Sequence, residues 1–205
     1  MTYRTHKQYS IAFAYITLML LYTYKVFEFN YYLCFPVVIL ISQWGAKFPD
    51  LDHEFKNIKD KNVLTWVINK LIHLTGGKHR SWQTHSWDVC IIYTVLSTYL
   101  ANKFLDGASL TLALLINSGF VSGWVSHLFS DTLNGVGTKL FCWLNKKVHF
   151  VPRKIGKFKF NTGGEWEDFN YFVMRRADVV LGLIAAVYPY KDIIKETIVN
   201  LISQV

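Results

Sequence analysis

The sequence predicts an all-α fold, a multi-pass helical membrane bundle forming one domain over residues 1–205, and three observations carry that expectation. Apolar residues make up 52% of the chain and charged residues only 18%, against about 25% charged in an ordinary soluble domain. Uncharged stretches recur at lengths that approach or reach a bilayer's thickness. The basic residues are partitioned between the segments that join those stretches. A mean hydropathy of +0.20 is modest for such a protein, so a soluble bundle with buried core helices is the alternative.

In chain order, the first stretch is residues 8–24, between Lys7 and Lys25, and the second is 29–46, between Glu28 and Lys47. Tyr9, Tyr22, Tyr24, Tyr31, Tyr32 and Trp44 sit near the ends of these two, as an interfacial aromatic belt requires. Residues 89–102 and 179–190 are shorter, and they reach spanning length only with their flanks. Residues 107–126 meet the requirement of about 20 residues outright. Arg4 and Lys7 precede the first stretch without a small-residue cleavage pattern after it, which reads as a retained anchor. The tail 192–205 sets Ile193, Ile194, Thr197, Ile198, Leu201 and Val205 along one face, an amphipathic helix that is either interfacial or packed on the bundle.

Four spans with a cytoplasmic N-terminus place residues 1–7, 47–88 and 127–178 inside. Of the 22 lysines and arginines, all but Lys25, Lys103, Lys191 and Lys195 then fall inside, as the positive-inside rule demands. The net charge of +8 suits anionic lipid heads, phosphate-bearing substrates or nucleic acid. Nothing resembles an aromatic stacking platform for nucleic acid. Cys34, Cys90 and Cys142 stand alone, which excludes a disulfide framework and a zinc ribbon and reads as bland thiols in a reducing compartment.

The metal-capable residues collect at the cytoplasmic ends of these stretches. His6 precedes the first. Asp50, Asp52 and His53 lie in "KFPDLDHEF" after the second, His79 and His85 in "GGKHRSWQTHSWD" before the third, and His127 and Asp131 in "GWVSHLFSDTLNG" after the fourth. Each element has a plainer reading. "PDLDH" can be a turn and helix start, since Pro and Asp favour such positions, although Asp50 and Asp52 repel unless a cation or proton intervenes. "HRSWQTHS" can be an interfacial loop anchored by Trp82 and Trp87, and its two histidines converge only if the segment bends. His127 and Asp131 are four apart on one helical face, which suits two ligands of one ion and equally a hydrogen-bonded pair. Histidine with carboxylate favours zinc, with manganese as the alternative, over all-oxygen magnesium or calcium sites, and the number of ligands allows two or three ions.

The segment "LNKKVHFVPRKIGKFKFNTGGEWE" carries Lys146, Lys147, Arg153, Lys154, Lys157 and Lys159, then Gly163–Gly164 and Glu165 and Glu167. Its "KFKF" alternation reads as a short strand or hairpin edge. The cations either hold the loop on anionic lipid or bind substrate. Glu167 is a candidate general base or further ligand. Arg80, beside His79, is the better phosphate clamp, because a guanidinium pairs two oxygens at once. His149, without a carboxylate at ligand spacing, reads as solvated or lipid-facing.

Taken together, the early His, "PDLDH", "HRSWQTHS", "GWVSHLFSDTLNGVGTKLFCW" and "FNTGGEWE" resemble the YdjM-like family, LexA-regulated inner-membrane proteins described as metal-dependent hydrolases. The resemblance runs from His6 to about Glu167. It implies that His6, Asp50, Asp52, His53, His79, His85, His127 and Asp131 are the family's polar site positions. Ser81 stands where the family more commonly has Gly after the His-Arg pair, and Gln83 intervenes before Thr-His-Ser. A fainter similarity to zinc-dependent phospholipase C, through the His-x-x-x-Asp helix, implies phosphodiester hydrolysis. The expectation is therefore a bacterial inner-membrane hydrolase cleaving a phosphoester, phospholipid-like, through metal-activated water, with Asp52 and Arg80 among the catalytic groups. The alternatives are a membrane-tethered nuclease, or a non-catalytic metal-stabilised protein that binds lipid or a partner.

Overall fold

A computed structural model describes residues 3–26, 30–55, 58, 61–134, 137–144, 146–151, 154–155, 158–160 and 162–202. The chain is predominantly helical: α1 (Tyr3–Thr23), α2 (Tyr31–Lys47), α3 (Val63–Leu74), α4 (Trp82–His85), α5 (Trp87–Phe104), α6 (Gly107–Thr132), α7 (Glu165–Val187) and α8 (Lys191–Ile202). A 3-10 turn, Pro49–Asp52, follows α2, and two small antiparallel hairpins lie between α6 and α7. The first pairs β1 (Thr138–Lys139) with β2 (Lys147–Val148), and the second pairs β3 (Lys154–Ile155) with β4 (Phe158–Lys159). The second hairpin is the expected "KFKF" edge. Of the cations named for that segment, Arg153, Lys157 and the side chain of Lys159 lie outside the described residues.

Local chemistry explains the helix starts. The Asn30 side chain accepts from the Tyr32 and Leu33 N–H groups at the head of α2. Asn62 and Thr65 form a reciprocal capping box at the head of α3. At α7, Glu167 reaches back to accept from the Gly163 N–H at 2.6 Å. The helices overrun the uncharged stretches at their polar ends: α1 takes in Arg4, His6 and Lys7, α6 takes in His127 and Asp131, and the fifth stretch is the end of α7 and the 3-10 turn Tyr188–Tyr190 after it. The hydrogen-bond ladder satisfies backbone groups whatever the side chains are, so charge marks the limit of an apolar segment and not the end of a helix.

α2 packs against α6 at close range because small residues line the contact. A Cβ on Gly123 would collide with the Ser42 carbonyl oxygen, and one on Gly45 with that of Phe120. Gly119 and Gly123 thus make a small-xxx-small stripe that lets α2 and α6 approach backbone to backbone. The Ser42 hydroxyl donates to the Ser10 carbonyl at 2.9 Å and lies 3.4 Å from the Ser122 hydroxyl, tying α1, α2 and α6 together. Beyond the stripe, Phe120, Trp124 and Leu128 pack with Cys90 in one apolar cluster, and Leu18, Val38 and Leu115 pack in another. α7 docks on α1 through Thr5 with Glu167 (2.8 Å) and Tyr9 with Asn170 (2.9 Å).

Among the described residues one helix, α6, is both long and apolar enough to cross a membrane. Only 33% of its most apolar window is buried, whereas the core helix of a soluble bundle would be covered mostly by protein. The outward faces of α2, α5 and α7 are apolar too, with Leu33, Leu40, Ile91, Val95, Val180 and Leu183 exposed. A belt of this kind is far from the surface of a soluble monomer.

Candidate metal centre

The polar ends of α1, α2 and α6 meet at one buried point, and the α2–α6 stripe determines where. Gly119, Gly123, His127 and Asp131 follow at four-residue steps along one face of α6. The close approach at Gly123 sets His127 against the last turn of α2, where carbonyls have lost their helical partners. His127 Nδ1 lies 2.7 Å from the Ala46 carbonyl oxygen. A carbonyl can only accept, so Nδ1 carries the proton and Nε2 keeps its lone pair.

The same logic applies to the other two buried imidazoles. His6 Nδ1 is 2.6 Å from Ser130 Oγ, whose own proton is donated to the His127 carbonyl. Ser130 therefore accepts from His6, and His6 Nε2 keeps its lone pair. His85 Nδ1 lies 2.9 Å from Thr84 Oγ1, whose own proton goes to Asp52 Oδ2, and 3.1 Å from that carboxylate oxygen; both can only accept, which leaves His85 Nε2 its lone pair. The three Nε2 atoms converge on Asp131. His6 Nε2 is 3.6 Å from Oδ1, while those of His127 and His85 are 3.8 and 4.0 Å from Oδ2. His127 Nε2 is also 3.9 Å from Asp50 Oδ1. All three rings are at most 2% exposed, as is Asp131.

These separations suit a metal. Ligands held 2.0–2.2 Å from one ion in tetrahedral array lie about 3.4 Å apart. Two groups have all their ligand atoms within 4.8 Å of one another: His6, Asp50 and His127, and His85, His127 and Asp131. They share His127, and the His6 and His127 rings stack at 3.8 Å with 8° between planes. His85 Nε2 and His127 Nε2 are buried with no hydrogen-bond partner among the described residues. Two such nitrogens facing one carboxylate are groups that a bound cation would satisfy.

Asp52 is placed behind this point. It is fully buried and accepts from His79 Nδ1 (3.0 Å), the Arg80 N–H (2.7 Å), Thr84 Oγ1 (2.8 Å) and His85 Nδ1. Burial alone would raise its carboxyl, but the hydrogen bonds from His79 and His85 outweigh that and hold it well below the usual carboxylate range. A carboxylate behind a metal-facing histidine fixes the tautomer and the ring orientation. The loop that carries it is held by Asn69 of α3, whose amide donates to the Leu51 and His53 carbonyls at 2.6 and 2.8 Å.

"HRSWQTHS" does bend, which brings the His79 and His85 rings to 6.0 Å. Arg80 makes the bend with a left-handed backbone, φ +61°, a conformation that is strained for a side chain of this kind. That conformation lets its N–H meet Asp52 while its guanidinium meets Asp131 Oδ2 at 2.8 Å. His79 is at the rim, 40% exposed, with its ring stacked on His53 at 3.5 Å. Burial and then the neighbouring His79 lower the His53 pKa, which favours neutral imidazole. Neither ring belongs to the two ligand groups.

Glu167 is buried at the α1–α7 junction, bonded to Thr5 and to the Gly163 N–H. His149 is half-buried rather than solvated: its ring covers the Gly137 turn, where φ is +65° and a Cβ would strike it. Sequence reasoning missed the groups that orient the three imidazoles, Ala46, Ser130 and Thr84, and Asn69, which holds the Asp52 loop. Two left a signal, since Thr84 and Ser130 immediately precede His85 and Asp131.

Against known proteins, the family model described as "YdjM inner membrane protein" matches residues 1–199. No curated protein and no solved structure matches the chain.

Proposed function

We propose that this chain, which belongs to the YdjM inner membrane protein family, is a multi-pass, metal-dependent phosphoester hydrolase whose site faces the cytoplasm. The observation that carries this reading is the convergence of three buried Nε2 lone pairs, each enforced by an acceptor on Nδ1, upon Asp131. His6, His85, His127, Asp131 and Asp50 would hold the metal, zinc first and manganese as the alternative. The two groups overlap at His127, whose single Nε2 lone pair serves one ion, so together they describe one metal position. When bound, such an ion lowers the pKa of water and neutralises charge on phosphoryl oxygens.

The surrounding residues have distinct tasks. Asp52 keeps the His85 tautomer fixed and, through the Arg80 N–H, holds the bend that brings the guanidinium to the site. Arg80, 18% exposed at its side chain, is the cation placed to pair with two phosphoryl oxygens of an anionic substrate. Asp50, with 34% of its side chain exposed, lines the open side, where substrate and water would enter. The excess of basic residues in the joining segments and the membrane setting favour a lipid-borne phosphoester over nucleic acid.

Elemental analysis of protein purified without added metal tests the reading first, and should find zinc or manganese bound. The loaded protein should hydrolyse a phosphodiester or phospholipid head group, lose the activity to a chelator and regain it with metal. Arg80→Lys keeps the charge but loses the planar fork. It should retain the metal while turnover falls about 10²–10³-fold, the usual cost of one oriented donor. A metal-replete protein inert toward phosphodiesters, phosphomonoesters and phospholipids would replace this reading with a metal-stabilised lipid- or partner-binding protein.

A further inference from the structure

We infer that α3 is an in-plane membrane helix, with its outer face among lipid acyl chains beside the metal-centre loop. The helix has three faces where a soluble surface helix has two. Thr65, Ile68, Asn69 and Ile72 occupy about 100° of arc and face the protein; Thr65, Asn69 and Ile72 are buried, and Ile68 packs against the Leu51–Ile72 cluster. Val63, Leu64, Val67, Leu71 and Leu74 fill another arc of about 100°, and all are exposed, Val63 at 79% and Leu74 at 81%. The third face holds Trp66, Lys70 and His73, with Trp66 and Lys70 exposed.

Length decides how such a helix can meet lipid. Twelve residues rise about 18 Å, short of the ~30 Å hydrocarbon core, so α3 cannot cross and must lie along the boundary. The third face suits that placement. Trp66 is the residue type found at head-group level, and Lys70, with exposed Lys61 and Lys78 near the two ends, complements anionic head groups. A second copy of the chain would require a polar rim all round the apolar face, whereas a bilayer needs one along a single edge. The chain's membership of an inner-membrane family supplies the bilayer. The inference does not depend on hydrolysis or on bound metal. It does bring the Asp50–His53 loop to the lipid boundary, because Asn69 on the inner face grips the carbonyls on either side of Asp52.

The test uses the full chain in vesicles of phosphatidylethanolamine and phosphatidylglycerol. In a Cys142→Ser background, where Cys34 and Cys90 are buried, nitroxides are attached through Val67→Cys, Leu71→Cys, Leu74→Cys and Lys70→Cys. At the three apolar positions, collisions with oxygen should exceed those with a water-soluble nickel chelate several-fold, and the order should reverse at Lys70→Cys. Ready access of the chelate to the apolar positions would overturn the inference. So would low access of both reagents, which would mean a protein partner covers the face. On the unsubstituted chain, a lipid with a photoreactive acyl chain should leave adducts on the Val63–Leu74 peptide. Labelling of α6 without labelling of that peptide would also overturn it.

Discussion

His127 presents Nε2 to the site because Ala46 lies in the last turn of α2, where its carbonyl needs a donor. His6 depends likewise on Ser130, and His85 on Thr84 with Asp52 behind it. Ligand and aiming group should therefore differ in what their loss does. His127→Ala and Asp131→Ala each remove an atom from the convergent set, and both should abolish metal retention through purification. His149→Ala removes only a cover over the Gly137 turn and should leave metal content at the wild-type level. Equal metal in all three variants and wild type would return His127 and Asp131 to a structural pair. Asp52→Asn should weaken affinity about 10–100-fold without abolishing it, as expected for a group that orients a ligand. Both Asp52 oxygens receive donors, so an amide NH₂ on either side would face an N–H or O–H. Titration with metal reads this; unchanged affinity would separate Asp52 from the centre.

At the scale of the helix, the same stripe that packs α6 on α2 positions His127 and Asp131. Gly123→Ala should lower the melting temperature, at the 1–3 kcal/mol typical of overpacking, and weaken metal binding too, because the new Cβ meets backbone at Ser42 and Ala46. Gly119→Ala meets the Ile41 side chain and the Val38 carbonyl at 3.2 Å or more, and a few tenths of an ångström of movement relieves it. It should keep its metal. Similar metal loss in both would mean the α2–α6 approach is not what places His127. The stripe is legible in the sequence, since Gly119, Gly123, His127 and Asp131 are evenly spaced, but the apolar run 107–126 stops short of His127 and Asp131 and so divides it. α3 was hidden for a related reason: twelve residues are too few for a span, and the basic residues around it make the whole segment read as a loop. The role of Asn69 has no local signature, because its partners are carbonyls 16 and 18 residues away. The convergent side chains themselves, by contrast, stood out in the sequence, since His6, Asp50, Asp52, His85, His127 and Asp131 lie at the polar ends of the apolar stretches that the fold brings together.

For the whole molecule, the predominance of helix followed from composition, while the number of crossings does not follow from helix length alone. α1 and α7 have 21 and 23 residues but carry charge at their site-side ends. Only α6 combines length with apolarity among the described residues, so the multi-pass arrangement has to be tested on the assembled protein. Leu105 and Asp106 precede α6, and Asp131 lies near its far end, about 36 Å away at 1.5 Å per residue. That exceeds the ~30 Å hydrocarbon core, so a spanning α6 puts residue 105 and the proposed metal centre on opposite sides. The partition of basic residues decides which side is which. The segments holding residues 60 and 150 lie with the excess of lysine and arginine, and Lys103 is the only such residue between 89 and 126. Reporter fusions at residues 60 and 150 should therefore read cytoplasmic, and a fusion at 105 periplasmic. If 105 and 150 report the same side, α6 does not span. If 60 and 150 report opposite sides, the Asp50–His53 loop and the end of α6 cannot share the face on which the three imidazoles converge.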